Sequence, residues 1–197
     1  MSPTGAGYPE GVLDPSQIAP ETPRPIRRDE YDRMVELGLF EGERVELLYG
    51  TIVTMSPTGP PHDSAIEELN EKLVVALAGR ARVRVQSAFA ASDGSRPEPD
   101  LAVVPKGPHH QAHPSEALLV IEVAESSLLK DRGVKAQLYA ESGVPEYWVV
   151  NLRDRVIEVH TDIERGRYAT VTSFVAGDSI AVRAFPDVRI AVADVIR

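Results

Sequence analysis

Three acidic residues stand where acids are costly. Glu98 and Asp100 flank Pro99 in RPEPDLAVV (96–104), at the entry to an apolar run, and Glu122 interrupts the run LLVIEVA (118–124). A carboxylate in such a place loses hydration unless a basic side chain, a backbone N–H or a metal ion takes it up. If the two runs are antiparallel neighbours joined by the polar loop KGPHHQAHPSE, a hairpin centred on Gln111 pairs residues whose numbers sum to 222. Asp100 then faces Glu122. Cross-strand partners lie about 4.5–5.5 Å apart at Cα, near enough for two carboxylates to share one hard cation. Without a cation they repel and at least one pKa rises; a divalent ion stabilises both in the ionised form. The competing assignment pairs Asp100 with an arginine such as Arg96 and leaves Glu122 at a wet strand end.

Beyond Glu122, the residues Asp131, Lys135 and Tyr139 follow at i, i+4 and i+8 and share one helix face. Lys135 can thus point toward the carboxylate end, where a lysine orients water or stabilises charge developing on a phosphate. The plainer alternative is an Asp131–Lys135 surface ion pair worth a few tenths of a kcal/mol. His109, His110 and His113 gather in the hairpin loop, where zinc or copper binding competes with an ordinary exposed loop. Nothing resembles a phosphate-cradling glycine loop, a GxSxG elbow or a CxxC pair, which argues against a protein nucleophile.

The elements that position these residues follow from the hydrophobic pattern. A chain of 197 residues with 43% hydrophobic content suits one domain. Residues 1–25, rich in Pro, Gly, Ser and Thr, read as a flexible arm, and 26–197 as the single domain. RDEYDRMVELGL predicts a short helix with Tyr31, Met34, Val35 and one of Leu37 or Leu39 inward. RVELLYGTIVTM predicts a hairpin turning at Tyr49-Gly50. HDSAIEELNEKLVVALAGR predicts a helix with Ile66, Leu69, Leu73 and Leu77 inward, capped by Asp63 or Ser64 and stopped at Gly79. Three strands follow (83–90, 101–105, 117–124), the last two apolar throughout and so central in a sheet. LLKDRGVKAQLYAESGVPEYWVV then predicts a helix and a strand. The core order is α-β-β-β-α-β, and the alternating segments after Asn151 predict a C-terminal antiparallel meander.

Absence of cysteine excludes disulfides and thiolate zinc sites. No apolar run approaches the length of a membrane span, and the expected location is the cytoplasm. A net charge of −9 argues against indiscriminate nucleic-acid binding, although Arg80, Arg82 and Arg84 alternate along one candidate strand, as a basic patch or as a solvated strand face.

The order of elements, with Pro99-Asp100 before the middle strand and an acid near the end of the next, resembles the PD-(D/E)XK nuclease superfamily. RVELLYGTIVTMSP, VQSAFAASDGSRPEPDLAVV, LLVIEVAESS, the Asp131–Lys135–Tyr139 helix and GVPEYWVVN together resemble the Uma-two family of restriction-endonuclease-like proteins, from about residue 25 to the C-terminus. The resemblance implies an α/β restriction-endonuclease-like core: an α-β-β-β-α-β mixed sheet flanked by helices, with an N-terminal hairpin and the C-terminal meander. It implies a metal-dependent endonuclease acting on DNA, with Asp100, Glu122 and the Val123 carbonyl as Mg²⁺ or Mn²⁺ ligands and Lys135 assisting the attacking water. The superfamily's lysine stands two residues after the second acid, where this chain has Ala124; the family supplies it from the following helix, which assigns the role to Lys135.

Accessory positions match less specifically. Glu46 would add a ligand or orient water, or form a strand-end ion pair. Gln86 would bond a catalytic group or phosphate, or serve as a structural amide. His62 would contact phosphate, or merely begin its helix; Tyr139 would pack or hydrogen-bond Asp131. A homodimer is expected, since two centres serve the two strands of a duplex. A non-catalytic binding or assembly module on the same scaffold is the competing function, motivated by the acidic surface and by Ala124.

Overall fold

The computed structural model describes residues 18–196, so the expected arm lies outside the described residues as far as residue 17. Helix α1 (Arg28–Glu36) packs against the hairpin of β1 (Val45–Leu48) and β2 (Thr51–Thr54). Tyr49 and Gly50 make the turn with φ of 48° and 77°, the left-handed pair that a two-residue type I′ connection needs. The contact between helix and hairpin runs through Tyr31, which packs with Val45 and Leu47 and donates its hydroxyl to the Val45 carbonyl at 2.9 Å. This small cluster has no room for the wider inward face expected of α1: Val35, Leu37 and Leu39 are exposed.

Helix α2 (Pro60–Ala76) starts earlier than the expected cap, with Gly59 as N-cap and prolines in the first turn, where a missing N–H costs nothing. Its inward face is the expected one, Ile66, Leu69, Leu73 and Leu77 all being buried. Six strands form the main sheet in the order β3-β4-β5-β6-β7-β8: Arg82–Val85, Leu101–Val104, Leu119–Ala124, Tyr147–Asn151, Val156–Glu164 and Arg167–Phe174. β5 and β6 are parallel and the other neighbours antiparallel. The crossover between β5 and β6 is one continuous helical run: α3 (Leu128–Lys130), a π-helical turn (Asp131–Lys135) and α4 (Ala136–Glu141).

β4 and β5 pair Leu101 with Ile121, Ala102 with Val120 and Val103 with Leu119, the register in which numbers sum to 222. Alternation then divides the strands between two cores. Leu101, Val103, Leu119, Ile121, Val123 and Trp148 join the core under α2. Ala102, Val104, Val120, Ala124, Tyr147 and Val149 join the core under α4, with Ala136 and Tyr139. Glu122 lies between Ile121 and Val123, so its side chain goes to the α4 face, and the same alternation sends Asp100 there.

The C-terminal antiparallel strands are present, divided between two places. β7 and β8 extend the main sheet beyond β6, while β9 (Ser179–Val182) and β10 (Phe185–Ala191) form a separate hairpin, followed by α5 (Val192–Val195). Val182, Val188 and Ile190 of that hairpin complete the core under α2. Arg80 clasps it: the guanidinium reaches Asp187 at 2.5 and 2.8 Å and lies 4.6 Å from the Phe185 ring centroid.

Candidate active site

Asp100, at the mouth of β4, is 7% exposed. Its Oδ2 accepts the Val123 backbone N–H at 2.8 Å and lies 3.2 Å from His62 Nε2. Burial opposes ionisation, yet His62 and the Val123 N–H together hold the carboxyl below the usual aspartate range. The arginine alternative fails on geometry, since Arg96 gives its Nη1 to Asp32 at 2.8 Å and covers the Tyr31 ring. His62 sits in the first turn of α2, 6% exposed, with Nδ1 on Asp63 at 3.2 Å. Burial disfavours its cation, but the two carboxylates raise its pKa overall.

Glu122 is 4% exposed, and one oxygen, Oε1, accepts both Lys135 Nζ at 2.9 Å and Tyr139 OH at 2.7 Å. Burial pushes its pKa up to about 8 against the pull of Lys135, and the charge of Asp100 adds to the rise. Lys135 is 2% exposed and also lies 3.1 Å from Glu46 Oε2. Burial works against its charge, but Glu122 and Glu46 hold the ammonium firmly protonated. Glu46 is fully buried, and Lys130 meets its other oxygen at 2.8 Å. Despite that burial, the two lysines keep its carboxyl below the usual glutamate range.

The π-helical turn makes this cluster possible. On an α-helix, residues at i, i+4 and i+8 drift around the axis, and i, i+5 are roughly 140° apart. A π turn advances less per residue, so Asp131, Lys135 and Tyr139 all face inward, and Lys130 and Lys135, five apart, both reach Glu46. Asp131 accepts Ser127 Oγ at 2.5 Å, and burial raises its pKa despite Lys135. The expectation of an Asp131–Lys135 surface pair fails because both residues are 2% exposed. Of the two alternatives for Tyr139, packing holds, its ring lying in the core beside Phe89 and Tyr147, while its hydroxyl goes to Glu122 and not to Asp131.

His62, Asp100, Glu122, Val123, Asp131 and Lys135 line one cleft, with the loop 55–58 at its border and Arg44 exposed on its rim. Glu46 and Tyr139 lie behind this lining and act by holding Lys135 and Glu122. Gln86 does not join: its side chain is exposed, and it meets the site through its backbone N–H on the Asp100 carbonyl at 3.0 Å. Sequence reasoning missed Lys130 and Ser127. The spacing of Lys130 from Lys135 is out of phase for an α-helix, and only the π turn brings the two together.

The donor set bears on whether a cation fits. The hydrogen bonds above engage Asp100 Oδ2 and Glu122 Oε1, so Asp100 Oδ1 and Glu122 Oε2 remain as acceptors. Among the described residues, no group of three or more His, Asp or Glu side chains is set to hold a metal ion. Two carboxylate oxygens supplemented by a backbone carbonyl and solvent make an all-oxygen set, which suits a hard divalent cation that keeps part of its water.

The α-β-β-β-α-β order around a mixed sheet, with its acids at the mouth of β4 and near the end of β5, is a restriction-endonuclease-like fold. Residues 28–193 match the family described as "Uma2: Putative restriction endonuclease", and the chain belongs to that family. It is also similar in structure to a protein of Anabaena variabilis ATCC 29413 described as a "putative nuclease belonging to DUF820". The TM-score is 0.67 at 13% identity, over 87% of this chain and 97% of that one. No curated protein matches the chain.

Proposed function

We propose that the chain is a metal-dependent endonuclease that hydrolyses phosphodiester bonds of DNA. The observation that carries this reading is the meeting of Asp100, Glu122 and Lys135 in one cleft, from three separate elements. Asp100, Glu122 and the Val123 carbonyl would hold Mg²⁺ or Mn²⁺, which when bound polarises the scissile phosphate and lowers the pKa of water. His62 and the Val123 N–H fix the rotamer of Asp100; Tyr139 and Lys135 fix that of Glu122. An ammonium has three donors, and Glu122 and Glu46 take two from Lys135, leaving one for an attacking water or a phosphate oxygen. Lys135 thereby replaces a lysine at position 124, where fully buried Ala124 packs on the same sheet face as Glu122. Two copies would place one cleft on each strand of a duplex.

The test titrates Mn²⁺ calorimetrically into wild type, Asp100→Asn and Glu122→Gln, and follows cleavage of supercoiled plasmid with Mg²⁺ or Mn²⁺. The expected result is binding and nicking by wild type, both lost in either isosteric variant. Folded wild-type protein that neither binds Mn²⁺ nor cuts DNA would refute the reading and favour a non-catalytic module.

A further inference from the structure

An open groove adjoins the cleft, and the two share Glu125 and Ser126 in their walls. It is lined by Arg132, Arg153 and Arg155, with Pro61, Leu129 and Leu152 between them. Arg132 is neutralised by its two-pronged contact with Glu158. Arg153 and Arg155 are exposed, and neither enters an ion pair among the described residues. Among the lining residues the three arginines outnumber the one acid, Glu125, on a chain whose net charge is −9.

The arginines sit on a fixed platform. They belong to the turn from β6 to β7, where Asn151 donates Nδ2 to Asp154 at 2.8 Å and accepts the Asp154 N–H at 3.0 Å. That closure engages Oδ2 of Asp154, the acid between the two arginines, which also lies 3.9 Å from Arg132. The Leu152 N–H donates to the Ala124 carbonyl at 3.0 Å, tying the turn to the end of β5, two residues past Glu122. β5 and β6 are parallel, so both strand ends open to the same side, where ligands of parallel sheets bind.

We infer that the Arg153–Arg155 turn is a phosphate-backbone contact that seats duplex DNA across the groove and feeds it into the Asp100–Glu122 cleft. The inference rests on the nuclease reading and gives it a binding surface. A phosphate contact carries no base information, so it is sequence-independent and strengthens as salt falls. It compensates locally for the repulsion between an acidic protein and DNA.

The test measures binding of a short fluorescent duplex by anisotropy, in EDTA, as a function of salt. The double variant Arg153→Gln/Arg155→Asn keeps the turn, because asparagine tolerates the φ of 57° at position 155. Loss of two phosphate contacts should lower the slope of log K against log salt by about 1.8 and weaken binding roughly 60-fold at about 0.1 M salt. A control, Arg165→Gln/Arg167→Gln, removes the same charge from exposed positions outside the groove and should bind as wild type does. Wild-type binding matched by the double variant would overturn the inference while leaving the nuclease reading intact. Equal weakening by the control would also overturn it, as a net-charge effect. Wild-type protein that neither binds nor cuts the duplex would overturn both.

Discussion

Replacing Lys135 with methionine removes a buried cation while keeping most of its volume. Nζ lies 2.9 Å from Glu122 and 3.1 Å from Glu46, and the three residues are at most 4% exposed. Removing one partner from a buried ion pair costs about 3–5 kcal/mol, mainly because the other charge is stranded. The low end applies here. Glu46 keeps Lys130 at 2.8 Å, and Glu122 keeps Tyr139 and can take up a proton, its pKa being pushed to about 8 already. A loss of about 3 kcal/mol with a urea m-value of about 2 kcal/mol/M moves the unfolding midpoint down by roughly 1.5 M. Without the ammonium, the Glu122 carboxyl, already raised to about 8, rises further, and Glu46 loses the stronger of the two lysine attractions that hold it down. A carboxyl raised in the folded state destabilises progressively as pH rises from its unfolded pKa through its folded one. Wild type shares the Glu122 penalty up to about pH 8, so the deficit must widen as pH rises past 8 and be larger near pH 9 than near pH 6. Urea titrations followed by fluorescence of the single, fully buried Trp148 read this directly. Adding Glu46→Gln to Lys135→Met should restore part of the loss, because it removes one stranded charge. A midpoint shift below about 0.5 M at pH 9, or one equal at both pH values, would refute the network as the source of Lys135's charge and position.

Two further perturbations probe the frame around the site. Gly50→Ala forces a β-carbon to within 2.3 Å of Pro25 Cβ at a φ of 77°, so a loss of about 2 kcal/mol and a fall of roughly 5 °C in Tm are expected; an unchanged Tm would show that the N-terminal hairpin does not clamp the segment before α1. His160 packs between Tyr147 and Tyr168, and burial depresses its pKa, opposed by Glu158 and aided by Arg132. A histidine depressed in the folded state gives stability that is present above the unfolded value of 6.5 and lost as pH falls below it. The His160→Phe variant should lose less stability than wild type between about pH 7 and pH 5, and parallel pH profiles would contradict this.

The sequence carried the sheet register and the meeting of the two acids for one physical reason. Strand alternation is strict, and a single hairpin with a fixed centre sets both partners, so Asp100 and Glu122 could be placed from numbers alone. The inward face of α2 was legible on the same principle, because four leucine and isoleucine positions at helical spacing leave no second face to bury. Where burial is shallow the pattern misleads: α1 is apolar on more sides than its small cluster can cover, and only Tyr31 is taken in. The least legible feature is the one that completes the site. A π turn has no hydrophobic signature of its own, and its effect is to change which residues share a face. Read with an α-helical period, DRGVKAQLY allows Lys135 near Glu122 but turns Lys130 away, which leaves Glu46 as a second free acid and a plausible ligand. With the turn in place, both oxygens of Glu46 are taken by lysines. Glu46 then works through Lys135, holding its ammonium at Glu122, and Asp100 and Glu122 are left as the candidate ligand pair of the cleft. The phase of one helical turn thus separates the residues that face a substrate from those that position them.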